Sequence, residues 1–194
     1  MPKPRRKPTD FGRAVGQYIG LLMERKIRKL LTTYNLIAHE KWANSYGLTH
    51  EIDYVVGTRR KPIVLIDSKY IKYQKHAREK ANEIASMLIS VKNAHPSVKL
   101  LIAILAGNFT HGSKRILSDR DIQVLHIPFE ILAHNMRKHE LIIDWTEDDK
   151  MTAEKTWEIY DKLSEEEVDR VANDFFDATN IPERLQELIQ GIVT

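Results

Sequence analysis

A short, almost wholly apolar segment in the middle of the chain constrains the fold more than any other feature. Residues 99–105 read KLLIAIL, in which Lys99 is the one polar residue. A strand with one face in water alternates apolar and polar residues, whereas a strand covered on both faces is apolar throughout. The segment therefore predicts an interior strand whose sheet carries a further layer of structure on each side.

The segments around this strand predict an α/β or α+β layered protein with a central mixed sheet flanked by helices. Asp10 is placed to cap a helix that runs to about residue 34, and a second helix is predicted over residues 75–94. Two or three short helices form the end of the chain, where Ser164 and Glu167 fit a capping box and Pro182 fits a first helical turn. Further strands are predicted at residues 36–42, 50–56, 63–69 and 122–127, and a helix near residues 129–137.

Charge divides the 194 residues into a basic body and an acidic end. Residues 1–139 carry 25 of the 30 Lys and Arg but only 11 of the 27 Asp and Glu, a net charge of +14, whereas residues 140–194 carry a net charge of −11. A basic surface is the electrostatic signature of a protein that binds polyanions. We expect a basic arm over residues 1–9, a catalytic core over residues 10–139 and an acidic helical extension over residues 140–194.

The composition also excludes several classes of protein. The chain has no cysteine, which excludes disulfide bonds and thiolate zinc sites. No apolar run is long enough to cross a bilayer, and the first residues lack the apolar stretch of a signal peptide. The eight histidines are scattered without metal-site spacing, and no Gly-x-Ser-x-Gly elbow supports a serine hydrolase. The expectation is a cytoplasmic protein that does not associate with membranes.

Acidic residues fall near the ends of two neighbouring predicted strands. Asp53 lies in the segment HEIDYVV at residues 50–56, and Asp67-Ser68-Lys69 ends the segment at residues 63–69. Because successive side chains of a strand alternate faces, Asp67 and Lys69 project to one side, where a neighbouring strand can place Asp53 beside them. Close carboxylates repel each other unless a divalent cation lies between them, and Mg2+ takes one or two carboxylates with waters and substrate phosphate oxygens. The pattern predicts metal-assisted attack of water on a phosphodiester; a salt-bridged strand end is the structural alternative.

These residues resemble the signature of the PD-(D/E)XK nuclease superfamily, the restriction-endonuclease-like proteins. The core of that family has the order helix, three-strand meander, helix, strand, with an Asp on the second strand and an Asp/Glu-x-Lys on the third. Asp53 and Asp67-Ser68-Lys69 match these positions, and the match in element order covers about residues 10–127, although Ile52 replaces the usual Pro before the first acid. The resemblance implies that Asp53 and Asp67 hold Mg2+, with Mn2+ as a substitute, and that Lys69 orients or helps deprotonate the attacking water.

A further acid on the first helix completes the metal site in many of these nucleases, and Glu24 is the candidate here. It ends a stripe of residues spaced four apart, namely Gly12, Gly16, Gly20 and Glu24. Glycines cost helix stability, so the stripe predicts that another backbone approaches it closely. The alternative for Glu24 is a surface pair with Arg28. Glu51 is a second spare acid, either a ligand or a surface residue at a strand end.

Three groups of residues are expected to contact DNA. The first is the basic arm, and the second is the polar face of the helix after Lys69, for which a solvated face is the alternative. The third is a Gly-rich turn over residues 107–114 that faces phosphate; it resembles a nucleotide-binding P-loop but has its Ser and Lys in the opposite order, which argues against nucleotide binding there. The residues concerned are Lys3, Arg5, Arg6 and Lys7, then Gln74 and Arg78, then Ser113, Lys114 and Arg115.

The residues and the resemblance together predict a Mg2+-dependent endodeoxyribonuclease that cuts double-stranded DNA, most similar to a small type II restriction endonuclease. A DNA-repair or junction-resolving nuclease is the alternative within the family, and a non-catalytic nucleic-acid-binding module is the alternative outside it. A homodimer is expected, because a two-fold pair presents the same site to both antiparallel strands. The acidic helices after residue 139 are the expected subunit contact.

Overall fold

The computed structural model describes residues 10–193 of the chain. Within this range five strands and seven α-helices follow one another, and a short 3-10 turn, Gln74–His76, leads into the second helix. The elements are α1 (Phe11–Leu30), β1 (Leu36–Ala43), β2 (Thr49–Gly57), β3 (Pro62–Ile71), α2 (Ala77–Ala94), β4 (Leu100–Gly107), α3 (His111–Ser118), β5 (Ile122–Pro128), α4 (Phe129–Arg137), α5 (Lys150–Lys162), α6 (Glu165–Asp177) and α7 (Ile181–Val193).

The strands form one mixed sheet in the order β1-β2-β3-β4-β5. β1, β2 and β3 make an antiparallel meander, and β3, β4 and β5 run parallel to one another. The predicted apolar strand is β4, which lies inside the sheet and is buried along almost its whole length. The α/β layered fold and the order of helix, meander, helix and strand expected of a restriction-endonuclease-like core are confirmed.

One face of the sheet is covered by α2 and α3. The core on this side joins Ala81, Ile84 and Leu88 of α2 to alternate residues of the strands, among them Leu65 and Leu105. The i, i+3, i+4 spacing of the helical residues and the two-residue spacing of the strand residues are the periods that such a contact requires. This face carries the side of β3 to which Asp67 and Lys69 belong.

The other face is covered by α1 together with the C-terminal helices. Trp157 of α5 and Phe175 of α6 lie in the same core as Tyr18 of α1. The acidic residues of α6 pair with α1, because Arg25 donates to both Glu165 and Asp169, and Lys26 Nζ donates to Asp177 at 2.8 Å. The basic neighbour of the acidic extension is thus the first helix of the same chain, and a subunit contact by these helices stays a prediction.

Most helix boundaries and caps agree with the sequence. The Asp10 side chain accepts the Arg13 N–H, and the capping box of Ser164 with Glu167 begins α6. Pro182 lies in the first turn of α7, which starts at Ile181. α1 ends four residues earlier than expected, at Leu30. No helix among residues 10–193 is long and apolar enough to span a membrane, and the predicted basic arm at residues 1–9 lies outside the described residues.

The predicted Gly-rich turn after β4 is wrong, because its second half is helical. α3 starts at His111, and the Thr110 side chain caps it by accepting the Ser113 N–H at 3.0 Å. Ser113, which was expected to face DNA phosphate, is 2% exposed, and its hydroxyl donates to the Thr110 carbonyl at 2.8 Å. Gly112, at the second helical position, lowers the helix propensity of this segment, so the sequence pattern did not predict this helix of about two turns.

The prediction for the glycine stripe on α1 is also wrong. A Cβ atom at Gly20 would meet no atom within 4 Å, and one at Gly16 would meet only the Tyr70 side chain, at 3.9 Å. No other backbone packs against the stripe at these positions. The glycines instead leave open space beside the helix.

A close approach of two backbones occurs at Gly107, where β4 ends. Gly107 has φ 97°, and a Cβ atom there would lie 1.9 Å from the Ile71 carbonyl oxygen, so only glycine fits. The next residue ties the strands together: the Asn108 N–H donates to the Ile71 carbonyl at 3.0 Å and its side-chain amide donates to the Lys72 carbonyl at 2.6 Å. The ends of β3 and β4 are therefore fixed to each other.

Candidate active site at the fork between β2 and β3

β2 and β3 separate at the position of the first predicted acid. Their pairing extends from Gly57 to Tyr54 on β2 and stops there. Beyond this point the Asp53 carboxylate takes the place of a backbone acceptor, since the N–H and the hydroxyl of Ser68 both donate to Asp53 Oδ2, each at 2.8 Å. We call this place the β2–β3 fork. Asp53 is thus held in the plane of the sheet, between the two strands.

Asp67 and Lys69 flank Ser68 on β3 and reach the fork from the α2 side of the sheet. Leu65 and Ile71, which alternate along the strand with them, belong to the core beneath α2. The charges of Asp53 and Lys69 both act on the Asp67 carboxyl group. The structure therefore brings together the three residues on which the sequence prediction depends.

The Asp67 carboxylate is buried without a protein partner. Asp67 is 6% exposed, and within residues 10–193 it makes no hydrogen bond or ion pair. Burial raises the pKa of Asp67 well above its usual value, the negative charge of Asp53 raises this pKa further, and the ammonium group of Lys69 opposes both effects. A cation bound beside Asp67 would lower this pKa again, so the fork has an electrostatic preference for positive charge.

These residues fit a magnesium ion held by two carboxylates. Among residues 10–193, no group of three or more His, Cys, Asp or Glu side chains has an arrangement that could hold a metal ion by itself. Mg2+ does not require such a cage, since it is commonly bound through one or two carboxylates and completes its shell with waters and phosphate oxygens. Asp53 and Asp67 supply the two carboxylates, and the unpartnered, buried state of Asp67 is the observation that favours a bound cation.

Glu24 lies on α1, on the opposite side of the sheet from Asp67. Its side chain is 12% exposed and has two partners: Arg28 Nε donates to Glu24 Oε1 at 2.8 Å, and His39 Nε2 lies 3.1 Å from the same oxygen. The pair with Arg28 that the sequence offered as the alternative is therefore present. Both Glu24 and Asp53 raise the pKa of the buried Tyr54 hydroxyl, after burial itself, so Glu24 lies near the fork. A metal-binding role for Glu24 stays a prediction.

His39 is a residue of this region that the sequence reasoning missed. It has φ 52°, and the pairing of β1 with β2 skips it: Ala38 pairs with Tyr54 and Glu40 with Ile52, which leaves His39 opposite Asp53. Left-handed backbone at a non-glycine residue costs free energy and is concentrated at functional sites. The ring joins the two spare acids, since its Nδ1 lies 3.7 Å from Glu51 Oε1 while its Nε2 faces Glu24.

Glu83 of α2 is a second residue that no motif marked. Its charge raises the pKa of Asp67. Its own pKa is lowered first by a hydrogen bond from Lys80 Nζ at 2.6 Å and also by Lys69. The position of Glu83 across from Lys69 follows from the packing of α2 on β3, which a sequence pattern does not contain.

The remaining residues predicted to contact DNA lie beyond the carboxyl ends of β3 and β4. Gln74 and Arg78, which follow β3, are exposed, as predicted for a DNA-facing surface. Arg115 is also exposed, and its Nε lies 3.4 Å from Asp119. Lys114 Nζ lies 3.3 Å from His126 Nδ1, and burial, with the nearby Lys114 charge, lowers the pKa of that histidine. DNA contact by these four polar residues stays a prediction, and Lys3, Arg5, Arg6 and Lys7 lie outside the described residues.

No protein-family model matches the chain, and no curated protein matches its sequence. Several solved structures are similar to this chain at low TM-scores. AF1548, a protein of unknown function, has a TM-score of 0.45 at 13% identity over 81% of this chain and 96% of that one. Can2 from Sulfobacillus thermosulfidooxidans, in complex with cyclic tetra-adenylate, has a TM-score of 0.37 at 18% identity over 56% of this chain and 32% of that one.

The small subunit of the heterodimeric restriction endonuclease R.BspD6I is a third similar structure. It has a TM-score of 0.38 at 10% identity over 86% of this chain and 98% of that one. At TM-scores this low, none of the three structures assigns a reaction or a substrate to this chain.

Proposed function

We propose that this protein is a Mg2+-dependent endonuclease that hydrolyses phosphodiester bonds in double-stranded DNA, as a type II restriction endonuclease does. The observation that carries the proposal is the convergence of Asp53, Asp67 and Lys69 at the β2–β3 fork, with Asp67 buried and lacking a protein partner. The restriction-endonuclease-like order of elements and the basic charge of residues 1–139 support it.

Each residue of the fork has a distinct part in this proposal. Asp53 and Asp67 would hold Mg2+, which when bound supplies a Lewis acid for the scissile phosphate and lowers the pKa of water. Asp53 is fixed for this task by its two hydrogen bonds from Ser68. Lys69 lies on the same face of β3 as Asp67, where its ammonium group orients the attacking water and balances the negative charge that develops on the phosphate.

The surrounding polar residues would hold the DNA. Gln74, Arg78, Lys114 and Arg115 lie beyond the carboxyl ends of β3 and β4. Cationic side chains there neutralise phosphates and set the position of the duplex without reading its sequence. A homodimer would place two forks on the two strands, and its symmetry would require a palindromic or nearly palindromic target.

The direct test is incubation of the purified protein with plasmid and branched DNA, with and without Mg2+, followed by mapping of the ends. Discrete fragments from the plasmid are expected. Cleavage confined to branched DNA would favour the junction-resolving alternative. DNA binding with no cleavage under either metal condition would reject the enzymatic proposal in favour of a binding module. Sedimentation of the protein on duplex DNA tests the dimer separately.

A further inference from the structure

A cavity of about 560 Å3 lies beside the end of β3, on the α1 side of the sheet and away from Asp67. Its walls come from the start of α1, the end of β3 and the segment that enters α5. The volume falls within the range of pockets that hold small molecules. Residues that line it include Gly12, Gly16, Tyr70, Lys72, Tyr73 and Trp145.

Lys72, which lines this cavity, has a buried ammonium group that lacks a hydrogen-bond acceptor among the described residues. Lys72 Nζ is buried, has no hydrogen-bond partner among the described residues and makes no ion pair within that range. It lies 3.4 Å from the centroid of the Trp145 ring and 5.5 Å from that of Tyr73. Aromatic faces attract a cation but do not accept its three hydrogen bonds in full. The wall of the cavity therefore holds an ammonium group without a hydrogen-bond acceptor, which a change of the Lys72 side-chain rotamer would bring to a ligand.

The acidic residues at the cavity do not satisfy Lys72, because each has another partner. The Asp10 side chain accepts the Arg13 N–H at 2.9 Å, and Asp149 accepts the N–H and the hydroxyl of Thr152 at 3.0 and 2.6 Å. Glu147 accepts from Lys75 Nζ at 2.7 Å. The remaining basic residues of the lining are Arg13 and Lys150. The hydrogen bonds of these carboxylates thus go to groups other than Lys72, and a phosphate would supply the acceptor that Lys72 lacks.

The other walls favour a flat ring. Tyr70, Tyr73 and Trp145 present aromatic surface, and such surfaces stack on planar groups. Gly16 leaves room beside Tyr70, since a Cβ atom at position 16 would already lie 3.9 Å from the Tyr70 ring. A larger side chain there would extend into the cavity. The backbone of Lys72 at the edge of the cavity is fixed, because the Asn108 side-chain amide donates to the Lys72 carbonyl. The two properties of the cavity are therefore an aromatic wall and a lysine without an acceptor.

We infer that this cavity binds a nucleotide, with its base against the aromatic wall and its phosphate on Lys72. The side chain of Lys72 turns from the indole of Trp145 into the cavity to reach the phosphate, which its rotatable bonds permit. The nucleotide comes either free or as the 5′-phosphorylated end of a nucleic acid, since both present the same base and phosphate. The site is separate from the fork and does not depend on the proposed nuclease activity.

Nucleotide affinity should fall as the pH rises above neutrality. Burial lowers the pKa of Lys72 to about 8, and the negative charges of Asp144, Asp149 and Glu147 oppose that shift only in part. A phosphate dianion binds the protonated amine and raises this pKa, so binding takes up a proton. With a pKa of about 8, the protonated fraction falls from about nine-tenths at pH 7 to about one-tenth at pH 9. The phosphate stays a dianion over this range, so affinity should weaken about tenfold.

The test is calorimetric titration of the full chain, without divalent metal, with adenosine 5′-monophosphate, adenosine and inorganic phosphate. The monophosphate should bind at least tenfold more tightly than either fragment, weaken about tenfold between pH 7 and pH 9, and quench Trp fluorescence. Lys72→Met should reduce its affinity at least tenfold, while the matched control Lys99→Met, at an exposed lysine before β4, should not. Gly16→Leu should block the cavity, while Gly20→Leu on the same face of α1 should not.

Competition decides the source of the nucleotide. Displacement of the monophosphate by a 5′-phosphorylated oligonucleotide, but not by its 5′-hydroxyl form, assigns the cavity to nucleic-acid ends; no displacement assigns it to free nucleotides. Either result supports the inference when the Lys72 and Gly16 variants lose binding. No binding of the monophosphate at millimolar concentration, or equal binding by wild type and both cavity variants, overturns it. Because DNA cleavage is not a readout here, failure of the proposed nuclease function would leave these results unaffected.

Discussion

The α1–α6 interface and the end of β3 differ in whether their charged side chains have partners of opposite charge. At the interface, Arg25 and Lys26 of α1 meet acidic residues of α6 in direct pairs. At the end of β3, Asp67 and Lys72 are charged groups that lack a carboxylate or ammonium partner within the described residues. The ion pairs of the interface are partly exposed to water, whereas the Asp67 carboxylate and the Lys72 ammonium group are buried. The buried charges, which need partners more, therefore have fewer of them.

This difference separates charge that maintains the fold from charge that is available to ligands. Partly exposed ion pairs cost little to form and contribute little, whereas a buried charge without a partner destabilises the protein unless something binds it. The two unpartnered groups have opposite signs; Asp67 lies on β3 and Lys72 directly follows it, on the other side of the sheet. Asp67 favours a cation, and Lys72 favours an anion.

Replacement of Asp67 should have the largest effect. Asp67→Asn removes a proposed metal ligand and should lower single-turnover cleavage of DNA by about 100- to 1,000-fold or more, and Lys69→Ala should act similarly. The exposed control Glu79→Gln on α2 should cleave normally. DNA affinity measured in Ca2+ should change little for all three variants. Near wild-type turnover of Asp67→Asn would remove the fork from the mechanism.

The same residue should make the metal-free protein less stable as the pH rises. Because the pKa of Asp67 is raised on folding, the native state holds more protons than the unfolded state between the ordinary aspartate value near 4 and the raised value. The free energy of unfolding therefore decreases as the pH rises through that window and is highest, for this group, below it. Denaturant titrations of the wild type and of Asp67→Asn should show this slope only in the wild type, with the variant more stable at neutral pH. A variant that is less stable at every pH would contradict the burial argument.

Glu24 and His39 should show a smaller, coupled effect on cleavage. They contact each other at 3.1 Å, so Glu24→Gln and His39→Asn should each reduce turnover about tenfold or less, and the double variant should lose less than the product of the two. Asparagine is chosen because it tolerates the left-handed backbone of His39. A double-mutant cycle on single-turnover rates measures this coupling. Strictly multiplicative losses would mean that the two residues act independently.

The paired charges of the α1–α6 interface should matter least. Asp169→Asn breaks one bond from Arg25, whose side chain is 32% exposed, and should cost less than about 1 kcal/mol of unfolding free energy. The cost should shrink in high salt because exposed charges are screened. Urea titrations at low and high NaCl provide the measurement. A loss of several kcal/mol that persists in salt would show that this interface is as sensitive as the end of β3.

The sequence predicts the helices and strands better than it predicts how they pair and pack against one another. The all-apolar β4 and the alternation of β3 are local patterns, so both strands, their layer order and the grouping of Asp67 with Lys69 can be read directly. The fork itself depends on where β2 stops pairing, which no local pattern records. For the same reason His39, placed opposite Asp53 by register, and Glu83, placed by the packing of α2, were missed.

The errors around the glycines have a similar origin. Glycine lowers helix propensity, so Gly112 hid α3, and the stripe of α1 implied a backbone contact. The structure instead uses Gly16 to leave a cavity open, and reserves the close backbone contact for Gly107. Whether a glycine lies against another backbone or beside open space depends on elements that are distant in sequence. The Lys72 cavity combines such elements from both ends of the chain, which is why the sequence gives no motif for it.

The way the C-terminal helices cover α1 has a consequence for synthesis of the protein. Arg25 and its partner Asp169 are 144 positions apart, so α1 leaves the ribosome long before the helix that covers it. Until then, the apolar face of α1 with Tyr18 and Leu22 has nothing to pack against on that side. The sheet, α2 and the contact of α1 with β3 can assemble from nearer segments, whereas the contacts of α1 with α5 and α6 have a very high sequence separation. The newborn chain therefore carries one apolar side of α1 uncovered until α5 and α6 emerge, and in that period it is most open to aggregation and most in need of a chaperone.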